Sequence, residues 1–348
     1  MRSSVLGQGK IAHWKEGLPP RPRTRQNSPA PLDSGMDNLC HTLVGAALAQ
    51  SGLKRRTRLG TATLVIGANL PDVDILSILS GSALAFRRGW THGILALLVL
   101  PLVLTGLMVV WGRWHGAGRS GAAPICPRQL FLLATLAVVS HTFLDWLNVY
   151  GVRLLMPFSH RWFYGDAVFI VDPWLWLVLA AGVGWSAFRE RQGAARAGVP
   201  ATVGLGLAAL YIAGMLGLTQ LGRLVVARGL GLGYLPSKGA VQVAPGFLNP
   251  IPRHVVLATE DRYWFGVIRW RPGPKLELPG DYLDRHLDDP RAEALRDNPQ
   301  ARQLLAWARF PYYVVERQPG TKARMLRLDD ARYSTGGRSW AAVVIEIE

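Results

Sequence analysis

The sequence predicts a mainly α fold, a polytopic transmembrane helical bundle of five or six spans followed by a small α+β domain outside the membrane. Three observations carry this expectation. Of the 348 residues 49% are hydrophobic, and they gather in long runs rather than spreading around one soluble core. Basic residues cluster in the short stretches between those runs, as orientation signals do. After Gly222 the long runs give way to short segments of alternating hydropathy, which read as strands.

Taken in order, residues 1–35 are rich in Pro, Arg and Ser (PPRPRTRQNSPAPLDSG) and lack the apolar core of a signal peptide. Their composition predicts disorder. Met36 directly precedes the organised sequence DNLCHTLVGAALA, so Met36 is expected to be the true start. The apolar stretch Leu39 to Leu53 has 15 residues, a helix of about 22 Å, suited to a short span or a re-entrant segment. The runs Leu59 to Leu79, Gly93 to Gly112, Gln129 to Val149, Phe169 to Phe188 and Val199 to Gly222 each approach the roughly 20 residues that cross a hydrocarbon core. These bounds give a membrane domain over 36–222, a linker over 223–235 and an α+β domain over 236–348. Within the last, RHVVLATEDRYWFGVIRW reads as two strands around a turn, two helices are expected near Pro290 to Asp297 and Pro299 to Ala308, and PYYVVER, ARMLRLDD and SWAAVVIEIE read as further strands.

Composition also narrows the function. A net charge of +16 would suit nucleic acid in a soluble protein. Here the charge sits between spans, so no nucleic-acid partner is expected. Cys40 and Cys126 form no CxxC, which argues against a disulfide framework or a thiolate metal site. Lys54, Arg55, Arg56, Arg58, Arg113, Arg119, Arg128, Arg189, Arg191 and Arg196 fall on one side of a six-span topology, against Arg87, Arg88, Arg153 and Arg161 on the other. The positive-inside rule places the ten in the cytoplasm and the four on the outer face.

On that topology the polar residues gather at the outer ends of their helices. His41 opens the first segment, Asp72 and Asp74 lie in GANLPDVDIL, His92 in RRGWTHGI, and His141 with Asp145 in SHTFLDWLNVYG. Asp166 and Asp172, in YGDAVFIVDPW, precede or open the fifth run. His141 and Asp145 are spaced i, i+4, so on a helix they share a face and can hold one ion. A mid-helix Asp costs about 2.5 to 3.5 kcal/mol on insertion scales and is tolerated when paired, metal-bound or beside water. Asp72 and Asp74 follow Pro71; in an extended segment both carboxylates face one site, whereas in a helix they diverge and only one can be a primary ligand. N-capping by one of the two would account for a single carboxylate.

His, Asp and no thiolate suit Zn²⁺, with Mn²⁺ or Fe²⁺ as alternatives. The ligand set His41, Asp72, Asp74, His92, His141 and Asp145, with His160, Asp166 and Asp172 as additional ligands, exceeds one tetrahedral ion and suits two or three. Asp145 or Asp74 is placed to accept a proton from an attacking water. Arg87, Arg88, Arg153 and Arg161 flank the site and suit an anionic substrate, or lipid headgroups.

The quoted segments MDNLCHTLVGAALA, NLPDVD, RRGWTH, HTFLDWLNVYGVRLLMPFSHRWFYGD and FIVDP resemble the YdjM-like family of predicted inner-membrane metal-dependent hydrolases, from Met36 to about Trp174. A more distant likeness is to the zinc-dependent phospholipase C and P1 nuclease group, whose order of ligands is met by His41, Asp72 or Asp74, His92, and His141 with Asp145. That group's later HxxxE pair is missing. The YdjM-like resemblance implies a multi-pass hydrolase of the bacterial inner membrane, and the more distant likeness implies that it hydrolyses a phosphoester, with a lipid as one such substrate; the charge count places the site and the C-terminal domain on the periplasmic side. Two rival classes are a divalent-metal transporter, which would hold its ions near the bilayer midplane, and a scaffold whose polar residues serve helix packing.

Overall fold

The computed structural model describes residues 37–80, 86–115, 124–237, 239–286, 298–317, 324–333 and 342–347. The extension before Met36 and the expected helix near 290–297 lie outside the described residues. The chain divides into two compact units, one containing Leu32–Leu216 and the other Gly217–Glu348.

The first unit is helical. Helix α1 (Asp37–Gln50) and the short helix α2 (Gly60–Gly67) are joined by a 3₁₀ turn at Leu53–Arg56, and a 3₁₀ segment over Leu70–Ser80 follows. Gly45 lets these two helices touch, since a Cβ there would stand 2.7 Å from the Leu64 carbonyl. Gly67 likewise admits Ala137, 2.9 Å from where its Cβ would lie. Small residues at such crossings are how helices close on one another without a hydrophobic driving force. Helices α3 (Ile94–Trp114) and α4 (Pro127–Leu147) form the long pair. Leu104 and Met108 of the first pack against Leu130 and Ala134 of the second. The pair is antiparallel: a Cβ on Gly112, at the end of α3, would meet Ile125, just before α4, while the Ile94 amide, at the start of α3, donates to Leu154 O beyond the end of α4 at 2.9 Å. Helix α5 (Pro173–Arg191) is capped by Asp172, whose side chain accepts from the Trp174 and Leu175 amides, and Pro173 fills the first helical position, where an amide would have no partner.

Among the described residues three helices are long and apolar enough to cross a membrane: α3, α4 and α6 (Val199–Gly229). The expectation of five or six spans is corrected by local chemistry. Pro71 and the Asn69 turn break the run from Leu59, leaving eight residues of α-helix in α2 and 3₁₀ geometry beyond it. Helix α1 has 14 residues, about 21 Å. Helix α5 has the length but carries three tryptophans and ends in Arg189, Glu190 and Arg191, which lowers its apolarity below that of a span. The assignment of loops to two sides counted alternating spans, so it loses its basis with them.

The last part of α6 and the segments after it form the second unit, which is rich in β structure. Helix α6 runs to Gly229, through the first half of the segment read as a linker. Val226 and Leu230 pack on Val241, Val243, Val255, Leu257 and Ile268. Strands β1 (Val241–Pro245), β2 (Arg253–Ala258), β3 (Arg262–Arg269) and β4 (Lys275–Glu277) are sequential antiparallel neighbours, and β5 (Tyr282–Asp284) also pairs with β3. After helix α7 (Pro299–Trp307), strands β6 (Pro311–Arg317), β7 (Arg324–Asp330) and β8 (Val343–Ile347) make a second antiparallel sheet. Phe310 and Tyr312 join the two sheets by packing on Val256 and Tyr263.

Candidate metal centre

Four chain segments bring polar residues to one end of the α3–α4 pair. His92 lies two residues before α3 begins, and His141 and Asp145 occupy the last two turns of α4. The 3₁₀ segment after Pro71 supplies Asp72 and Asp74, and α1 supplies His41. Asn69 fixes the entry to that segment, donating to Thr42 Oγ1 at 3.0 Å and to Val65 O at 2.9 Å.

Asp72, His92, His141 and Asp145 each aim one ligand atom at a common point, all within 4.8 Å of one another. His92 Nε2 and His141 Nε2 are 3.0 Å apart. Asp145 Oδ2 is 2.9 Å from the first and 3.5 Å from the second, and Asp72 Oδ1 is 3.9 and 3.7 Å from them. Bond lengths of 2.0–2.2 Å place neighbouring ligand atoms of a tetrahedral Zn²⁺ about 3.3 Å apart. The observed separations bracket that value. The tautomers, assigned from the neighbours, point the same way. His141 Nδ1 lies 2.7 Å from the Ala68 carbonyl, which can only accept, so the proton sits on Nδ1 and Nε2 presents a lone pair. His92 Nδ1 faces Thr91 Oγ1 at 2.9 Å and Asp74 Oδ2 at 3.5 Å. With its proton directed to that carboxylate, His92 too turns a bare nitrogen inward. Two lone pairs and two carboxylate oxygens then converge, which a cation stabilises and nothing in the group itself does. Such support from a carboxylate or carbonyl behind each imidazole is the usual outer shell of a metal-bound histidine.

Access is one-sided. His92, His141 and Asp145 are fully buried, whereas Asp72 keeps 14% of its side chain exposed. Asp72 therefore marks the approach from outside.

The remaining predicted residues fall into distinct places. Asp74 stands behind the group: its Oδ2 accepts from the Arg88 amide at 2.7 Å and the Thr91 hydroxyl at 3.0 Å, and its buried Oδ1 has no hydrogen-bond partner among the described residues. As the 3₁₀ geometry requires, Asp72 and Asp74 diverge, and only Asp72 reaches the four-atom group. His41 stacks on His141 with ring centroids 3.8 Å apart and puts Nε2 3.3 Å from Asp145 Oδ1. The group does not take in His160, Asp166 or Asp172. His160 is exposed and Asp166 is buried. Asp172 is held by its cap and by the Tyr211 hydroxyl at 2.8 Å.

The four arginines also differ. Arg88 is buried, with its guanidinium 3.1 Å from Asp145 Oδ1, 3.0 Å from Asn148 Oδ1 and 4.7 Å over the Tyr150 ring. Arg153 is buried too, donating to Arg87 O at 3.1 Å and lying 5.0 Å over Trp162; burial pulls its pKa below the ordinary arginine value. Arg87 is half-buried and Arg161 exposed. Sequence reasoning missed Thr91, Asn148 and the Ala68 carbonyl. Thr91 and Asn148 adjoin the motifs WTH and DWLN, where a polar neighbour of a ligand is a signal; a backbone carbonyl carries none.

The profile of the YdjM inner membrane protein family matches residues 36–220, more than half of the chain and the whole of this centre. The chain belongs to the YdjM family. It is 31% identical over 124 residues to the uncharacterized protein YfhP of Bacillus subtilis (strain 168), a stretch covering 35% of this chain and 35% of that one. The alignment thus spans about a third of the relative's length. No solved structure matches. The comparisons do not show the more distant likeness to the phospholipase C and P1 nuclease group. With its family match and three apolar helices, the chain is a YdjM-family membrane protein with a group of His and Asp side chains able to hold a metal ion.

Proposed function

We propose that this YdjM-family protein is a metal-dependent hydrolase of the bacterial inner membrane, acting on a phosphoester whose reactive group lies at the membrane surface. The observation that carries this reading is the convergence of ligand atoms from Asp72, His92, His141 and Asp145, all within 4.8 Å of one another. A divalent ion held there, Zn²⁺ best matching the donor set, supplies Lewis-acid activation of water and stabilises the charge that develops on the phosphoryl oxygens. Asp74 and the Ala68 carbonyl orient the two imidazoles. Asp72 lies on the open side, where substrate enters. Arg87 and Arg161, over the rings of Tyr150 and Phe163, are the less buried pair and would meet an anionic group, while Arg88 and Arg153 are engaged within the protein. Overall, water adds across a P–O bond to give a phosphate and an alcohol.

Position supports hydrolysis over transport. Asp145 lies two residues from the end of α4 and His92 two residues before α3, whereas a translocation site sits near the midplane with a route to both faces. The phospholipid substrate and the periplasmic orientation are parts of the same proposal.

The test uses full-length protein in detergent, loaded with Zn²⁺ or Mn²⁺ and offered bis(4-nitrophenyl) phosphate and phosphatidylglycerol micelles. Turnover that disappears with a chelator and in the His141→Ala variant is expected. An ion-loaded protein inert towards both substrates would sink the hydrolase reading. Protease access to a tag at either terminus in spheroplasts checks the orientation.

A further inference from the structure

The sequence alone suggested two or three ions, yet the geometry points to one. We infer that the guanidinium of Arg88 stands where a second cation would bind, making this a mononuclear centre with a built-in protein counter-ion; the inference rests on the metal-binding part of the reading above.

The two oxygens of Asp145 are used differently. Oδ2 faces His92 and His141. Oδ1 faces His41 Nε2 at 3.3 Å and Arg88 Nη2 at 3.1 Å. A bridging carboxylate with one more imidazole is what a second ion would need, and His41 supplies the imidazole. Arg88 already fills that side with positive charge, anchored on Asn148 Oδ1 and the face of Tyr150.

The backbone shows how firmly the residue is placed. Arg88 has φ +50°, in the left-handed region that a long side chain adopts only when its surroundings compel it. Its amide donates to Asp74 Oδ2 at 2.7 Å and its carbonyl accepts from the Arg153 amide at 2.8 Å. One residue thus ties Asp74 through its main chain and Asp145 through its side chain.

Charge decides in the same direction. A second cation on the Oδ1 side would lie against the buried Arg88 guanidinium, and like charges forced together where water is excluded are costly. The fixed guanidinium also holds Asp145 turned so that Oδ1 faces Arg88 and Oδ2 faces the two imidazoles.

The experiment is metal stoichiometry by elemental mass spectrometry on full-length protein in detergent, after saturation with Zn²⁺ and removal of loose metal. Arg88→Gly removes the guanidinium and suits the left-handed backbone, and Arg88→Lys keeps the charge; thermal melts confirm that both are folded. The expected result is one ion per chain in the native protein and in Arg88→Lys, two in Arg88→Gly, and one again in Arg88→Gly combined with His41→Ala. Two ions in the native protein, or one in folded Arg88→Gly, overturn the inference while leaving the metal centre standing. One ion without any phosphoester turnover removes the hydrolase reading and leaves this one intact. No ion in the native protein removes both.

Discussion

Each unit of the chain buries two or more carboxylates, and it treats them in opposite ways. In the β-rich unit Asp329 and Asp330 are fully buried, and the protein itself answers them. Asp330 receives Arg332 through Nε at 3.0 Å and Nη2 at 2.8 Å, plus the amides of Arg309 at 2.7 Å and Arg332 at 2.9 Å. Asp329 receives Arg327 Nη2 at 2.7 Å, the Tyr312 hydroxyl at 3.2 Å and the Asp330 amide at 2.7 Å. In the helical unit Asp145 is as deeply buried, yet on one side it meets Arg88 and on the other two imidazole nitrogens that are themselves acceptors. Burial alone therefore does not mark a functional acid. Asp330 is surrounded by aligned donors; Asp145, Asp72, His92 and His141 turn ligand atoms towards one another and leave a place that a cation can complete.

The widest separation between the two clusters is expected from Asp145→Ala set beside Asp330→Ala. Removing Asp145 deletes a ligand and leaves Arg88 without its anion, so bound metal should fall from one ion per chain to none and any turnover with it, read by elemental mass spectrometry and activity on one preparation. Removing Asp330 strands the buried Arg332 guanidinium and should cost about 3 to 5 kcal/mol of stability, seen as a lowered melting temperature in detergent, with metal content unchanged. Loss of metal in Asp330→Ala would break the comparison, because the acids of the β-rich unit would then bear on the centre.

Asp74→Ala sharpens it further. Asp74 supports His92 from behind and accepts from Arg88 and Thr91. Losing such an outer-shell carboxylate should weaken metal binding about 10- to 100-fold, measured by competition with a chromogenic chelator. Complete loss of the ion would make Asp74 a ligand in its own right.

The two units were also unequally legible in sequence. The strands around ATED, the helix from Pro299 and the strand PYYVVER form where alternation and breakers place them, because short strands with turn residues between them are specified locally. In the helical unit the HxxxD pair was legible, since helical periodicity alone puts His141 and Asp145 on one face. The number of spans was not. Hydropathy sums over the run from Leu59 without sensing that Asn69 and Pro71 turn the chain into a 3₁₀ segment, and it is that break which separates Asp72 from Asp74. Nor was the use of Arg88 legible, because a pair of arginines beside an apolar run reads as a contact for an anionic substrate or for lipid headgroups until the left-handed backbone at the second folds its side chain onto Asp145.

Thr91 offers the finest discrimination. Its hydroxyl lies 3.0 Å from Asp74 Oδ2 and 2.9 Å from His92 Nδ1, so it shares the carboxylate with the imidazole and the Arg88 amide. Thr91→Val keeps the shape and removes the donor. Asp74 retains the Arg88 amide, and His92 retains Asp74, so the loss should be that of one hydrogen bond, about 2- to 10-fold in metal affinity. The same chelator competition measures it. A loss as large as that in Asp74→Ala would mean that Asp74 reaches His92 only through the threonine hydroxyl. An affinity equal to the native protein's would mean instead that the carboxylate orients the imidazole directly, with the threonine a bystander.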